Sequence, residues 1–284
     1  MRLAAFGDVH GNLAALEAVL EDISHAEVDG CVVLGDIVNT GPDSKSCLER
    51  VQNIGCPIVR GNHERYVAQY GDPAFPEFLE ERFKPVAWSV RQLGDEVRAS
   101  LLELPMTYSP PEAQDIIFVH SSCRKDNDNI SLLTPEADLQ QMFASCGDGT
   151  DSATTLPKVI IRAHNHLSME RRVAGTTAST TIVTVGSAGL PLGGVRKAQY
   201  IILSDSKQGW QIEHRAVAYD VEANLERFET TGYLEYAGPA ARLLMREFAT
   251  ATHQLGPFLR EFDKWTASGQ VSLEQAVTDF LNAY

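Results

Sequence analysis

The chain has 284 residues, enough for one large domain or two small ones around a substantial core. Apolar residues make up 44% and charged residues 22%, which excludes a disordered or collagen-like chain. The formal net charge of −14 argues against long nucleic acid and anionic membrane as partners, since both need a basic footprint. No apolar run approaches the roughly 20 residues of a bilayer span. Met1 to Phe6 runs straight into Gly7-Asp8, without the longer apolar segment of a signal peptide. A cytoplasmic protein is therefore expected. Cys31, Cys47, Cys56, Cys123 and Cys146 are odd in number and form no CxxC pair, which predicts reduced thiols packed as small apolar residues.

Short apolar runs recur along the chain, each ending in Gly, Asp or His. Leu3 to Phe6 precedes Gly7-Asp8, Cys31 to Leu34 precedes Gly35-Asp36, and Ile58-Val59 precedes Arg60-Gly61-Asn62-His63. Ile116 to Val119 precedes His120, and Val159 to Ile161 precedes Arg162-Ala163-His164. Runs so short and β-branched, bounded by turn residues, predict buried strands. Leu13, Leu16, Val19, Leu20 and Ile23 recur at helical spacing, as do Cys47, Leu48, Val51 and Ile54. This alternation is the βαβ pattern, which collects functional groups at the carboxyl ends of strands. From 75 to 104 the pattern turns helical and reads as an inserted cap. Arg171 to Val173, Thr181 to Val185, Gln199 to Ser204 and Trp210 to Val217 predict a second, more antiparallel sheet joined by Gly-rich turns. The stretch 221–284 is helical, with breaks at Gly238-Pro239 and Gly256-Pro257.

The residues that end the strands carry the chemistry. Asp8 and His10 form an Asp-x-His pair, Asp36 follows Gly35, Asn62-His63 follows Gly61, His120 stands alone, and His164 and His166 form His-x-His. Five of the eight histidines belong to this set. Independent core histidines have no reason to gather at strand ends, so the set predicts a metal site with mixed oxygen and nitrogen donors.

The pattern Gly7-Asp8-Val9-His10-Gly11-Asn12, Gly35-Asp36, Gly61-Asn62-His63-Glu64, His120 and His164-Asn165-His166 resembles the calcineurin-like metallophosphoesterase superfamily. Gly35-Asp36-Ile37-Val38 with Gly41-Pro42, Gly186-Ser187-Ala188-Gly189 before Pro191, and Tyr219-Asp220-Val221-Glu222 resemble its bacterial and archaeal branch. The resemblance spans about 1–227. It implies an α/β (α+β) fold, a four-layer αββα sandwich of two mixed β-sheets flanked by helices. The expected organisation is a catalytic domain over 1–220, with 75–104 as its cap, and a C-terminal helical extension over 221–284 packed on the main body.

The resemblance also implies a dinuclear centre. Two divalent cations about 3.5–4 Å apart need an anionic bridge, and Asp36 would supply it. Asp8, His10 and His166 would complete one metal; Asn62, His120 and His164 would complete the other. Alternating residues of an extended segment point to opposite faces, so a His-x-His pair shared between two metals needs a bend. With only Asp8 and Asp36 as anionic ligands, the centre keeps about two positive charges for a hydroxide and a phosphate. A metal-bridging hydroxide would attack phosphorus, and His63 would protonate the leaving oxygen. The donor set fits Mn²⁺, Fe, Zn²⁺ or Ni²⁺.

Some positions depart from the resemblance. Asn39 and Thr40 stand where the superfamily's protein phosphatases have Asp and Arg, and Leu190-Pro191-Leu192-Gly193 replaces a charged block of the bacterial branch. Ala163 replaces a customary Gly, which is tolerable at negative φ. Candidate substrate contacts are Arg65, Arg124, Lys125, Arg196 and Asn39. The activity expected is hydrolysis of small phosphate mono- or diesters, including nucleotides. A Ser/Thr-type protein phosphatase and a metal-bound scaffold or regulatory protein with little turnover are the alternatives. Two cations would reverse the sign of the acidic surface locally, so the net charge disfavours long polyanions without excluding phosphate.

Overall fold

A computed structural model of the chain describes residues 1–75, 80–146, 156–174, 179–266 and 271–283. Strand β1 (Arg2–Phe6) lies inside the first sheet, with β2 (Gly30–Val33) parallel on one side. On its other side β8 (Ala198–Ser206) runs antiparallel, Arg2 facing Ser204, and β9 (Gly209–Val217) completes the order β2-β1-β8-β9. The second sheet has the order β3-β4-β5-β7-β6. There β4 (Ile116–Val119), β5 (Val159–Arg162) and β7 (Thr180–Thr184) are parallel, while β3 (Thr107–Tyr108) and β6 (Met169–Val173) are antiparallel edges. Both sheets are mixed.

Period-two alternation decides which side chain faces which layer. Ala5, Val32, Leu34 and Ile201 of the first sheet meet Phe118, Ile161 and Val183 of the second in one apolar core. Their neighbours Ala4, Phe6, Val33 and Ile202 turn outward onto α1 (Leu13–Ser24) and α2 (Ser44–Ile54). On the far side Ile117, Val119 and Ile160 pack on Leu139 and Phe143 of α5 (Glu136–Phe143). The result is the four-layer αββα sandwich.

The remaining helices surround one end of it. Helix α3 (Asn62–Ala68) follows the second crossover, and α4 (Lys84–Ser100) packs on α2 and α3. Trp88 of α4 donates its indole N–H to the Pro42 carbonyl at 2.9 Å. Helices α6 (Val221–Thr230), α7 (Tyr233–Ala237) and α8 (Ala240–Thr250) bury Phe228, Tyr233 and Phe248 against Trp88 and Leu190. Helices α9 (Leu255–Thr266) and α10 (Leu273–Ala283) add a satellite cluster on Leu243. Among the described residues no helix is long and apolar enough to cross a membrane.

Three expectations need correction. The four later strands do not form a sheet of their own: β6 and β7 join β5, whereas β8 and β9 join β1. Apolar alternation reports a strand but not its partner. Ile58-Val59 is a single parallel bridge to Val33, because Pro57 has no N–H to continue the ladder. Cys123 and Cys146 form a disulfide, with Cα atoms 5.4 Å apart across 23 residues. Their shared apolar cluster with Val119 and Phe143 brings them together, which sequence spacing could not reveal. Cys31, Cys47 and Cys56 are free.

Candidate metal centre

The carboxyl ends of β1, β2, β4 and β5 converge across the seam between the sheets. Asp8 and His10 follow β1, Asp36 follows β2, Asn62 and His63 open α3, His120 follows β4, and His164 and His166 follow β5. Asp8, His10, Asp36, His164 and His166 all have φ between 50° and 72°, so the chain turns through left-handed residues as it leaves β1, β2 and β5. That conformation costs a non-glycine residue about 1–2 kcal/mol, and surrounding hydrogen bonds hold it. Asp8 N donates to the Gly35 carbonyl at 3.0 Å and His10 N to the Asp36 carbonyl at 2.9 Å. His164 N donates to Asp8 Oδ2 at 2.8 Å, tying the two sheets together. The His-x-His segment turns at both histidines, which aims both rings inward; Ala163 before it is not among the positive-φ residues.

Glu64 and Gly189 hold the frame. Glu64 is fully buried and accepts from the N–H groups of Asp36, Ile37 and Gly61 at 2.7–2.9 Å. It fastens the turns that carry Asp36 and Asn62. Gly189 N donates to the Asp8 carbonyl at 2.9 Å, and a Cβ there would overlap the Val9 carbonyl. The Gly186–Gly189 block is therefore the backing of the Asp8-His10 turn.

Among the described residues three donor groups could hold a metal: Asp8, His10 and His166; Asp36, His120 and His164; and His10, Asp36 and His63. In each the donor atoms lie within 4.8 Å of one another. Asp36 Oδ2 is 3.7 Å from His10 Nε2 and 3.3 Å from His120 Nε2, so one oxygen faces the first two groups. Its partner Oδ1 accepts from the His63 N–H at 2.8 Å. Asn62 Oδ1 lies 3.0 Å from His120 Nε2, and His164 Nδ1 lies 3.3 Å from the same atom.

The donor chemistry fits divalent metals. His120 Nδ1 donates to the Leu34 carbonyl at 2.6 Å and His166 Nδ1 to the Leu190 carbonyl at 2.8 Å, so in each neutral ring Nε2 keeps its lone pair inward. His10 Nε2 and His166 Nε2 sit 3.0 Å apart. Asp8 Oδ1 is buried without a hydrogen-bond partner. Converging lone pairs and an orphaned carboxylate oxygen are coherent around a cation.

Burial shapes the protonation states. It lowers His10, takes His164 down to about 2 and His166 to about 3, and so keeps these rings neutral. Burial also raises Asp8 well above the carboxylate range. For Asp36 burial pushes the same way, but His120 and His63 outweigh it and hold the carboxyl well below that range. His120 rises to about 9 because Asp36 more than offsets its burial.

His63 stands at the mouth, its side chain 23% exposed. Asn39 Nδ2 lies 2.9 Å from His63 Nδ1. This amide serves either protonation state, since Nδ2 donates to bare Nδ1 and, turned over, Oδ1 accepts from Nδ1–H. A cavity of about 380 Å³ opens over Asp36 and the histidines, walled by Leu190, Leu192, Leu244, Glu247 and His253. The last three come from α8 and the corner that follows it, and composition and motif alone did not point to them.

The predicted cations do not gather there. Arg65 is held by a bidentate pair to Asp126 at 2.6 and 2.8 Å and lines an adjoining cavity. Arg124 pairs with Asp128, Arg196 lies 3.7 Å from Glu222, and neither they nor Lys125 are among the described residues of either wall. A buried cation that the sequence did not single out lies behind the centre. Arg162 donates to the Ser121 and Asp128 carbonyls and to Thr184 Oγ1, and burial lowers it to about 10.

Two mixed sheets with oxygen and nitrogen donors gathered across their seam are the architecture of a metal-dependent hydrolase. Comparison with known proteins narrows this. The calcineurin-like phosphoesterase family matches residues 1–168, more than half of the chain, and the chain belongs to that family. It is a hydrolase acting on phosphoric ester bonds, in a family that normally uses divalent metals. An uncharacterized protein of Methanocaldococcus jannaschii is 25% identical over 248 residues, 83% of this chain and 95% of that one. The fold matches a metallophosphoesterase from Sphaerobacter thermophilus with a TM-score of 0.66 at 24% identity, covering 89% of this chain and all of the other. A 64-residue stretch is 41% identical to a symmetrical bis(5′-nucleosyl)-tetraphosphatase of Pectobacterium carotovorum, only 22% of this chain and 23% of that protein.

Proposed function

We propose that this phosphoesterase works with two divalent metals and hydrolyses small phosphate mono- or diesters. The observation that carries the proposal is Asp36 Oδ2, which faces both His10 and His120 at the junction of two donor groups. Asp8, His10 and His166 would hold one ion, Asn62, His120 and His164 the other, with Asp36 between them. Mn²⁺, Fe, Zn²⁺ and Ni²⁺ all suit this set. Two such ions, when bound, would supply a hydroxide at neutral pH and neutralise charge on the phosphoryl oxygens.

The chain's own residues do the rest. Asp36 Oδ1 and Asn39 fix the backbone and ring of His63, which gives its proton to the leaving oxygen. The third donor group would make His63 a ligand instead, but Asn39 holds its ring from the Nδ1 side and leaves Nε2 free to donate. A cavity of about 380 Å³ suits a small ester, and the short tetraphosphatase likeness supports nucleotide-type substrates. We place the protein in the cytoplasm on its free thiols, whereas the Cys123–Cys146 pair favours an oxidising setting.

The test strips the protein with a chelator, reloads it with Mn²⁺, Zn²⁺ or Ni²⁺, counts bound metal, and assays p-nitrophenyl phosphate against its bis ester. Two ions per chain with turnover of either ester is expected. Turnover of the diester alone defines a phosphodiesterase. Two bound ions without turnover by any metal would sink the catalytic reading.

A further inference from the structure

Past His63 the metal cavity opens into a second one of about 500 Å³, within the range that holds small organic ligands. His63 lines both. Tyr66, Phe75, Phe83, Val86, Leu244 and Leu255 make the second cavity largely apolar. Its two guanidinium groups each face a carboxylate, Arg65 in a hydrogen-bonded bidentate pair with Asp126 and Arg82 in a simple ion pair with the half-exposed Glu80 at 2.7 Å. Both are also stacked, Arg65 over Tyr66 at 4.9 Å and Arg82 over Phe83 at 5.3 Å. Committed cations and ring walls recognise a neutral flat group rather than a second phosphate.

We infer that this cavity is the leaving-group site, and that the preferred substrate is a phosphoester whose leaving alcohol carries a neutral, flat ring system. The inference rests on the proposed role of His63. In-line displacement puts the leaving oxygen opposite the attacking oxygen, and the group that protonates it must touch it. Whatever that oxygen carries extends past His63, where the structure has an apolar cavity. Phe83 precedes α4, and Leu244 and Leu255 come from α8 and α9, so the cap region and the C-terminal helices share in setting specificity. A leaving nucleotide that brings further phosphates would leave them facing apolar walls, which disfavours polyphosphate leaving groups.

The test uses pairs with matched leaving oxygens: 5′-AMP against ribose 5-phosphate, and 2-phenylethyl phosphate against ethyl phosphate, or their methyl diesters if only diesters turn over. A ring-bearing member favoured by about tenfold or more in kcat/KM is expected. The pair that responds tells a nucleoside from an arylalkyl alcohol. Phe83→Ala should cut that ratio by about fivefold or more, with Phe83→Leu intermediate. Adenosine and 2-phenylethanol binding to metal-free protein, followed by saturation-transfer NMR, gives a readout without turnover, and Phe83→Ala should weaken it. Equal kcat/KM within each pair, or a preference untouched by both Phe83 variants, overturns the leaving-group site while leaving the phosphoesterase standing. If no ester turns over despite bound metal, the phosphoesterase reading has failed, and absence of ring binding then overturns the cavity as well.

Discussion

His63 and Asn39 form a unit whose removal separates proton transfer from metal binding. Asn39 has φ 70°, which places its amide 2.9 Å from Nδ1. In the proposed assignment His63 touches the leaving oxygen and not the metals. His63→Ala should therefore lower kcat by about 10²–10⁴-fold, with metal content by elemental analysis at wild-type level. Loss of an ion in that variant would instead make His63 a ligand, as the third donor group allows. The ligand-type residues were legible because each follows a short apolar run, and a strand end is where a side chain leaves the core. Arg65 misled for a physical reason: its spacing from His63 puts it near the site, but spacing does not reveal Asp126, which binds it. Arg162 was hidden in another way. One charged residue ending a run such as Val159–Ile161 reads as the surface end of a strand, yet it is fully buried on two carbonyls and a hydroxyl.

The turns after the strands do more than the strands to shape the centre. Gly189 and Gly55 show how to test this. Gly55 closes α2 at φ 73° with open space around it, so Gly55→Ala should cost only the left-handed penalty of about 1 kcal/mol. At Gly189 a Cβ would overlap the carbonyl of Val9, the residue between Asp8 and His10. Gly189→Ala should cost about 2 kcal/mol or more, the level of overpacking in a tight core, and should weaken metal binding as well. Thermal unfolding with and without metal measures both, and equal losses in the two variants would mean that the block does not support the turn. Most elements were visible as periodicity: α1 and α2 from their apolar spacing, and all strands but the two-residue β3. Sheet membership was not. β8 reaches β1 across nearly 200 residues, and only the packed sandwich decides that it pairs there rather than beside β7.

At the scale of the whole molecule the C-terminal stretch was legible as helices broken at Gly-Pro pairs but not as walls of the site. Glu247 explains their placement, since it accepts from the N–H groups of Gln254 and Leu255 and so sets the corner that brings His253 and Leu255 to the cavity over the donor cluster. The centre they enclose couples metal uptake to protons throughout the molecule. In the metal-free protein Asp36 raises His120 to about 9, so at pH 7 this ring holds a proton that a metal must displace, and burial pushes Asp8 in the same direction, toward its protonated form. His164 and His166, at about 2 and 3, have none to lose at neutral pH. Metal binding at pH 7 should thus release protons, and affinity should rise with pH until His120 titrates near 9. The sign for stability is opposite. A histidine raised above its unfolded value of about 6.5 stabilises the metal-free fold below that pH, and this contribution is lost as pH climbs through about 9. His10, His164 and His166, lowered by burial, are neutral in the fold over this range, and their unfolded forms lose only a small residual charge above pH 7, a weaker slope of the opposite sign. Metal-free protein should therefore lose Tm from pH 7 to 9, whereas metal-loaded protein should hold it. Titration calorimetry in buffers of different ionisation enthalpy counts the released protons. A pH-independent metal affinity, with no buffer dependence of the heat, would show that His120 is not where a metal enters.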